Sequence, residues 1–278
     1  MDLNGNGEPI LRSFIIKKMI RVNDYEQLTT RIVNWLKDYY WMHSGNIKAF
    51  VVGVSGGIDS AVVSTLCAET ELPTYVLTMP LYSKKENTEL SDAHAKSLSD
   101  KYENVTHYNV DLSHPYTQLI SVIGTQTSPK GFTHNKELIS NELANANTKS
   151  RLRMVTLYQV AGSVGGIVVG TGNKVEDYGV GFYTKYGDGG VDIAPIADLY
   201  KTEVRELGRH MGVSTEIINA PPTDGLWDDG RTDEDQIGVT YEQLEEAMEK
   251  GIGVGVETLE HFNSRNKHKM EPIPTFKL

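Results

Sequence analysis

The sequence predicts an α/β protein, a doubly wound parallel sheet flanked by helices (Rossmann-like). Three observations predict it. Short apolar runs alternate with stretches of helical periodicity. The first run breaks at a Gly-Gly turn directly into a helix. No linker, repeat or low-complexity tract divides the 278 residues, so 1–278 reads as a single domain.

Residues 1–9, with Asn4-Gly5-Asn6-Gly7, read as a loose tail, and 1–20 as an N-terminal extension. From Asp24 to His43, Leu28, Ile32, Val33, Leu36, Tyr39 and Tyr40 recur at helical spacing, with Asp24 as N-cap and Gly45 as stop. Ala49 to Val54 is a buried strand, and a helix runs from near Ile58 to about Glu69. Pro73 to Pro80 reads as the second strand, and Lys84 to Lys101 as a helix opened by Ser83. Val105 to Leu112 reads as the third strand, followed by a helix over Tyr116 to Ile123. Right-handed crossovers then set the strand ends and the Ser55 loop on one functional edge.

Thr125 to Asn135 is a polar Gly/Pro break. Lys136 to Ser163 is the longest helical candidate, with a kink or restart expected near Asn145 to Thr148. Its second half, from Leu152 to Val164, is apolar nearly all round. Such a helix buries more than one face, which points to a homodimer or to deep burial within the domain. Gly166 to Gly170 is a fourth strand, Ile193 to Ile196 a short one, and Lys201 to Met211 a helix. Asn219 to Gly238 lacks periodicity and reads as a mobile loop. Two final helices, Tyr241 to Lys250 and Val256 to Asn266, precede His268-Lys269.

Composition bounds the function. Hydrophobic content of 39% and charged content of 23% suit a soluble globular chain. A net charge of −10 argues against a nucleic-acid surface. Cys67, the single cysteine, rules out an intrachain disulfide or a Cys-rich zinc site, and reads as a core thiol. No apolar run is long enough for a membrane span, and the N-terminus does not read as a signal peptide. A cytoplasmic location is the expectation.

The chemistry starts at Gly53-Val54-Ser55-Gly56-Gly57-Ile58-Asp59-Ser60. Two glycines at a strand-to-helix turn let the backbone approach a ligand closely. The free N–H groups and positive end of the new helix then make a phosphate site. Asp59 would repel phosphate unless a divalent cation such as Mg²⁺ lies between them. A simple helix cap needs one Ser or Asp, not this whole set. The stretch matches neither the Walker A loop nor G-x-G-x-x-G. The strand ending at Gly170-Thr171-Gly172 repeats the pattern, with Glu176 about one turn further on. Asp59 and Glu176 at neighbouring strand ends could share one magnesium; taken alone, Glu176 reads equally as a solvated residue at a helix start.

The loop Ser55-Gly-Gly-Ile-Asp-Ser60 resembles that of the ATP pyrophosphatases (PP-loop enzymes), which cleave ATP between the α and β phosphates to adenylate a substrate. In order along the chain there follow Arg151-Leu-Arg-Met154, Gly170-Thr171 with Glu176, the block Gly181-Phe-Tyr-Thr-Lys-Tyr-Gly-Asp-Gly-Gly-Val-Asp192, Pro222-Thr223 and His268-Lys269. Together they look like ammonia-dependent NAD synthetase, over roughly residues 25 to 275. That resemblance implies ATP-dependent amidation of nicotinic acid adenine dinucleotide (deamido-NAD) with ammonia. It implies ATP at Gly53 to Ser60, Thr171, Lys201 and Thr223, with Mg²⁺ on Asp59 and Glu176. It implies deamido-NAD at Arg151, Lys185, Asp192, His268 and Lys269. It implies catalytic roles for Asp59, Lys201 and Asp188, the last where ammonium is received and loses a proton.

Singly, Lys185 and Lys201 read as surface lysines, Asp188 as a turn residue and His268 as exposed; the ordered set outweighs those readings. One departure stands beside the site: Lys149-Ser150 occupies the place of Lys-Ala in relatives. The Thr127 to Asn135 loop and the N-terminal extension have no counterpart. A glutamine-hydrolysing relative would carry a further amidase domain, so free ammonia or a separate donor protein is expected. Another PP-loop activity, such as tRNA modification, is disfavoured by the acidic charge and the lack of paired cysteines. A nucleotide-binding module without catalysis would not require both Asp59 and Glu176.

Overall fold

The computed structural model describes residues 21–277 other than 44, 129–130, 135, 224 and 228–230. The reading of residues 1–20 as an extension lies outside the described residues.

Four parallel strands form the main sheet: β1 (Ala49–Val54), β2 (Thr74–Thr78), β3 (Val105–Asn109) and β6 (Gly166–Val168), in the order β3-β2-β1-β6. The central strand β1 is apolar along its length because both its faces are covered. Successive side chains alternate between those faces. Phe50 and Val52 enter one core, with α1 (Tyr25–Met42), α2 (Ile58–Glu69) and α6 (Lys201–His210). Val51 enters another, with Leu152, Leu157, Val160, Ala161 and Val164 of α5 (Glu142–Val164). Helices on both faces of a parallel sheet are the doubly wound arrangement the sequence predicts.

The strand and helix bounds around the first Gly-Gly turn, Ala49–Val54 and Ile58–Glu69, match the sequence reading. The first helix does too, with Asp24 Oδ1 accepting from Gln27 N at 2.8 Å. The helix α3 (Lys85–Lys101) agrees to within a residue. The helix α4 (Ser113–Gly124) begins three residues before the predicted Tyr116, since Pro115 is tolerated in a first turn.

Several expectations are corrected. The predicted break over Thr125 to Asn135 contains an antiparallel hairpin, β4 (Thr125–Ser128) with β5 (Gly131–His134). The long helix does not restart near Asn145. It runs unbroken from an N-cap at Asn141, whose Oδ1 accepts from Ala144 N at 2.9 Å, and a short 3-10 turn covers Lys136–Leu138. The predicted strand Ile193 to Ile196 is reduced to one bridge, Val169 to Ile193. The next bond of that ladder would need the N–H of residue 195, and Pro195 has none to offer. Within the predicted loop Asn219 to Gly238 lies α8 (Asp233–Ile237), started by a reciprocal Thr232–Asp235 capping box. Two short helices frame this region, α7 (Thr215–Ile218) and α9 (Tyr241–Lys250). The last helix, α10 (Val256–Met270), extends past Asn266 and includes His268 and Lys269.

Candidate active site

Strand order places the site. The chain leaves β1 toward β2 and β3, then returns on the other side of β1 as β6. In such a sheet the ligand crevice opens at the carboxyl ends of the two strands where the order reverses. The loop Ser55 to Ser60 follows β1, and Gly170 to Glu176 follows β6.

The first loop is braced from within. Ser60 Oγ donates to Gly57 O at 3.0 Å and accepts from Ser55 N at 3.1 Å, while Gly57 N donates to Ser55 Oγ at 3.3 Å. Gly56 has φ +88°, and a Cβ there would stand 2.7 Å from Asn87 O of α3. Glycine is therefore needed both for the backbone angle and for the close approach. Among the described residues no side chain caps α2, so its leading N–H groups remain for an anion.

Behind the loop lies a buried charge cluster. Lys201 Nζ donates to Asp59 Oδ2 at 2.5 Å and to Glu176 Oε1 at 2.9 Å. Asn173 Nδ2 holds the other Asp59 oxygen at 3.1 Å, and the buried Tyr241 hydroxyl donates to Glu176 Oε1 at 2.7 Å. Burial raises the Asp59 pKa, helped by the Glu176 charge and opposed by Lys201. For Glu176 burial also pushes upward, but Lys201, Tyr241 and Asn173 outweigh it and hold the carboxyl below its ordinary value. Burial alone would lower Lys201; the two carboxylates keep it above its ordinary value. One ammonium thus serves two carboxylates. Two hard carboxylates brought together beside a phosphate loop are a donor set that fits Mg²⁺, which takes one or two carboxylates and completes its shell with phosphate oxygens and water. Among the described residues no group of three or more metal ligands exists, and this mode of binding does not require one.

Glu176 lies in a single π-helical turn, Val175–Val180, which sets Asp177 beside it. Asp177 is pushed up to about 7, first by burial and then by Glu176, Asp188 and Asp59. Asp188 is exposed at the rim, yet its Oδ1 points inward and accepts from Ser150 Oγ at 2.7 Å and Thr184 N at 2.9 Å. Withdrawal of this carboxylate from water raises its pKa, and the two hydrogen bonds restrain the rise.

A cavity of about 260 Å³ joins these parts. Its walls include every residue from Gly53 to Ser60, with Thr171, Glu176, Asp188, Lys201 and Thr223. The structure therefore brings together all the residues predicted for ATP, metal and ammonium. The five predicted for the second nucleotide are not on its walls. Three of them form a chain of contacts, and Lys269 bonds the start of the same Gly181–Asp192 block. Arg151 donates to Lys185 O, Lys185 Nζ to His268 O at 2.7 Å, and Lys269 Nζ to Gly181 O and Tyr183 O at 2.9 and 2.8 Å. Asp192 is held apart from them, accepting from Val168 N at 2.7 Å and from the Tyr158 hydroxyl at 3.0 Å.

Sequence reasoning missed Asn173, Asp177, Ser150 as a partner of Asp188, and Tyr241. Asn173 directly follows Gly172, and its polarity at a strand end was the available signal. Tyr241 had none, because it reads as one more apolar residue of a terminal helix.

Comparison with known proteins supplies the remaining findings. The family model described as NAD synthase matches residues 28–272. The NH(3)-dependent NAD(+) synthetase of Carboxydothermus hydrogenoformans is 38% identical over 253 residues, 90% of this chain and 96% of that protein. The structure of NMN synthetase from Francisella tularensis superposes with a TM-score of 0.80 at 30% identity, covering 92% of this chain and 100% of that one. That of NAD+ synthetase from Burkholderia pseudomallei gives 0.68 at 25% identity, covering 89% and 90%.

Proposed function

The chain belongs to the NAD synthase family, and from that premise we propose how its residues carry out the ATP-dependent amidation of deamido-NAD by ammonia, yielding NAD, AMP and pyrophosphate. The observation that carries the reading is the convergence of Asp59, Glu176 and Lys201 behind a Gly-Gly phosphate loop at the sheet's switch point.

ATP lies along Gly53 to Ser60, with Thr171 and Thr223 beside it and its phosphates toward the start of α2. The nicotinate carboxylate attacks the α-phosphorus, and pyrophosphate leaves. Lys201 offsets charge that develops on the phosphates. Asp59 and Glu176 would hold Mg²⁺, which supplies Lewis-acid stabilisation of phosphate oxygens when bound. Arg151 and Lys185 offer donors to the second nucleotide's phosphates, with His268, Lys269 and Asp192 completing that rim. Asp188 receives ammonium, which is protonated at neutral pH and has no free lone pair until a base removes a proton. Ammonia then attacks the acyl adenylate and AMP departs.

Residues 1–278 act as one catalytic domain in this reading, and two copies pair through α5. Val155 and Tyr158 of α5 are 56% and 36% exposed, so the helix is not buried all round within one chain. On α4, Val122 and Ile123 are exposed as well, which supports an apolar face for a second copy. Among the described residues no helix is long and apolar enough to cross a membrane.

The superposition on an NMN synthetase favours a second reading, in which the acceptor is the corresponding acid mononucleotide. The rim position of the residues predicted for the dinucleotide, outside the cavity, suits either acceptor. Incubation with ATP, Mg²⁺ and ammonium against each acceptor separates them by kcat/KM. NAD and AMP formed faster from deamido-NAD uphold the first reading; preference for the mononucleotide upholds the second; AMP formed with neither overturns both.

A further inference from the structure

Ser150 lies on α5 beneath the turn that carries Asp188, and it is 5% exposed. Its hydroxyl works in both directions: Oγ donates to Asp188 Oδ1 at 2.7 Å and accepts from Asp188 N at 2.9 Å. Thr184 N gives Oδ1 a second donor at 2.9 Å. Among the described residues Oδ2 has no donor, and Asp188 lines the cavity. Three residues earlier on the same helix face, Asn147 Oδ1 accepts from Thr184 Oγ1 at 2.7 Å. The turn is thus clamped to α5 at both ends. Packing between them is tight, since a Cβ on Gly187 would collide with Ser150 Oγ and stand 2.9 Å from Thr184 Cβ.

Resting on the function proposed above, we propose that Ser150 is a positioning residue for the amide-forming step, fixing Oδ1 of Asp188 so that Oδ2 alone meets ammonium. Ammonium gives one proton to Oδ2. The freed lone pair forms the C–N bond, the C–O bond to the adenylate breaks with its electrons leaving on AMP, and a second proton passes to solvent. A carboxylate free to rotate would offer this base in several orientations and lose effective concentration. The charged and titratable groups facing Asp188 are Glu176 and Asp177 of the π-helical turn, Tyr183 of its own loop and Lys269 of α10; α5 contributes the uncharged Ser150. A hydroxyl donor favours the ionised carboxylate among them, so its loss moves ionisation to higher pH.

The test compares wild type with S150A and S150T, each with Asp59, Glu176, Lys201 and Asp188 unchanged. Pyrophosphate release without ammonium reads adenylation, and NAD formation against ammonium concentration reads the second step. S150A is expected to keep its adenylation rate and its KM for ATP, while kcat/KM for ammonium falls roughly tenfold. The acid limb of that parameter's pH profile should move to higher pH, and S150T should restore both. If S150A does not fold, S150C, whose thiol donates weakly, carries the same expectation. Unchanged ammonium kinetics and an unmoved acid limb, or equal loss of both steps, overturn the inference. Failure of wild type itself to make NAD would instead overturn the reading beneath it.

Discussion

Lys201 Nζ lies 2.5 Å from Asp59 Oδ2, joining residues 142 positions apart at the start of α6 and the start of α2. The lysine side chain is 4% exposed, and this contact, with that to Glu176, makes it the cation on which a buried acidic cluster depends.

Removing it leaves two buried carboxylates without their common partner. K201A is therefore expected to lose about 3–5 kcal/mol of stability, read as a lower urea midpoint without metal. Magnesium should recover more stability in the variant than in wild type, and adenylation should slow about a hundred- to a thousandfold. A urea midpoint equal to wild type would contradict this picture of the cluster.

Asp59 is expected to be indispensable for the first step. In D59A, pyrophosphate release from ATP and deamido-NAD should disappear while the fold persists by circular dichroism. Near-normal turnover in that variant removes its metal role.

Asp188 belongs to the second step. D188N should leave pyrophosphate release without ammonium intact, yet slow amide formation about a hundredfold or more. Equal loss of both steps speaks against the assignment.

His94 sets a pH dependence of stability. It is buried on α3 with Nε2 3.0 Å from Ser64 Oγ, and burial pushes it down to about 4. The unfolded chain binds this proton near pH 6.5, so between about 6.5 and 4 the unfolded state takes up more protons. Stability should then fall as pH drops through that window, by roughly 2–3 kcal/mol for this group. Urea midpoints at pH 7.5 and 5 should differ less in H94Q than in wild type; equal differences would rule the group out.

Pairing through α5 is tested by V155D. Val155 is exposed in the single chain, so the charge should leave the fold intact. Wild type should sediment as a dimer at micromolar concentration, and the variant as a monomer of about the single-chain mass of 30.9 kDa. A monomeric wild type contradicts the proposed pairing.

The sheet was legible because β1 and β2 are short runs buried on both faces and bounded by turn residues, and β1 and α2 were read to the residue. The hairpin Thr125–Ser128 with Gly131–His134 was not, since two polar four-residue strands carry no apolar alternation. The site was legible where backbone geometry demands particular residues, as at Gly56 and the acids that follow each strand. Asn173, Tyr241 and Ser150 stayed hidden for the opposite reason. Their roles come from tertiary contacts made across roughly 40 to 115 positions, and no local pattern marks them.

The most direct test of the reaction follows one oxygen atom. Deamido-NAD is prepared with ¹⁸O in its nicotinate carboxylate and converted with unlabelled ATP and ammonium. Attack of that carboxylate on the α-phosphorus, followed by cleavage of the C–O bond, should place one ¹⁸O in AMP for each NAD formed. Label in orthophosphate with ADP as the co-product, or AMP without label, would contradict the acyl-adenylate route at this site.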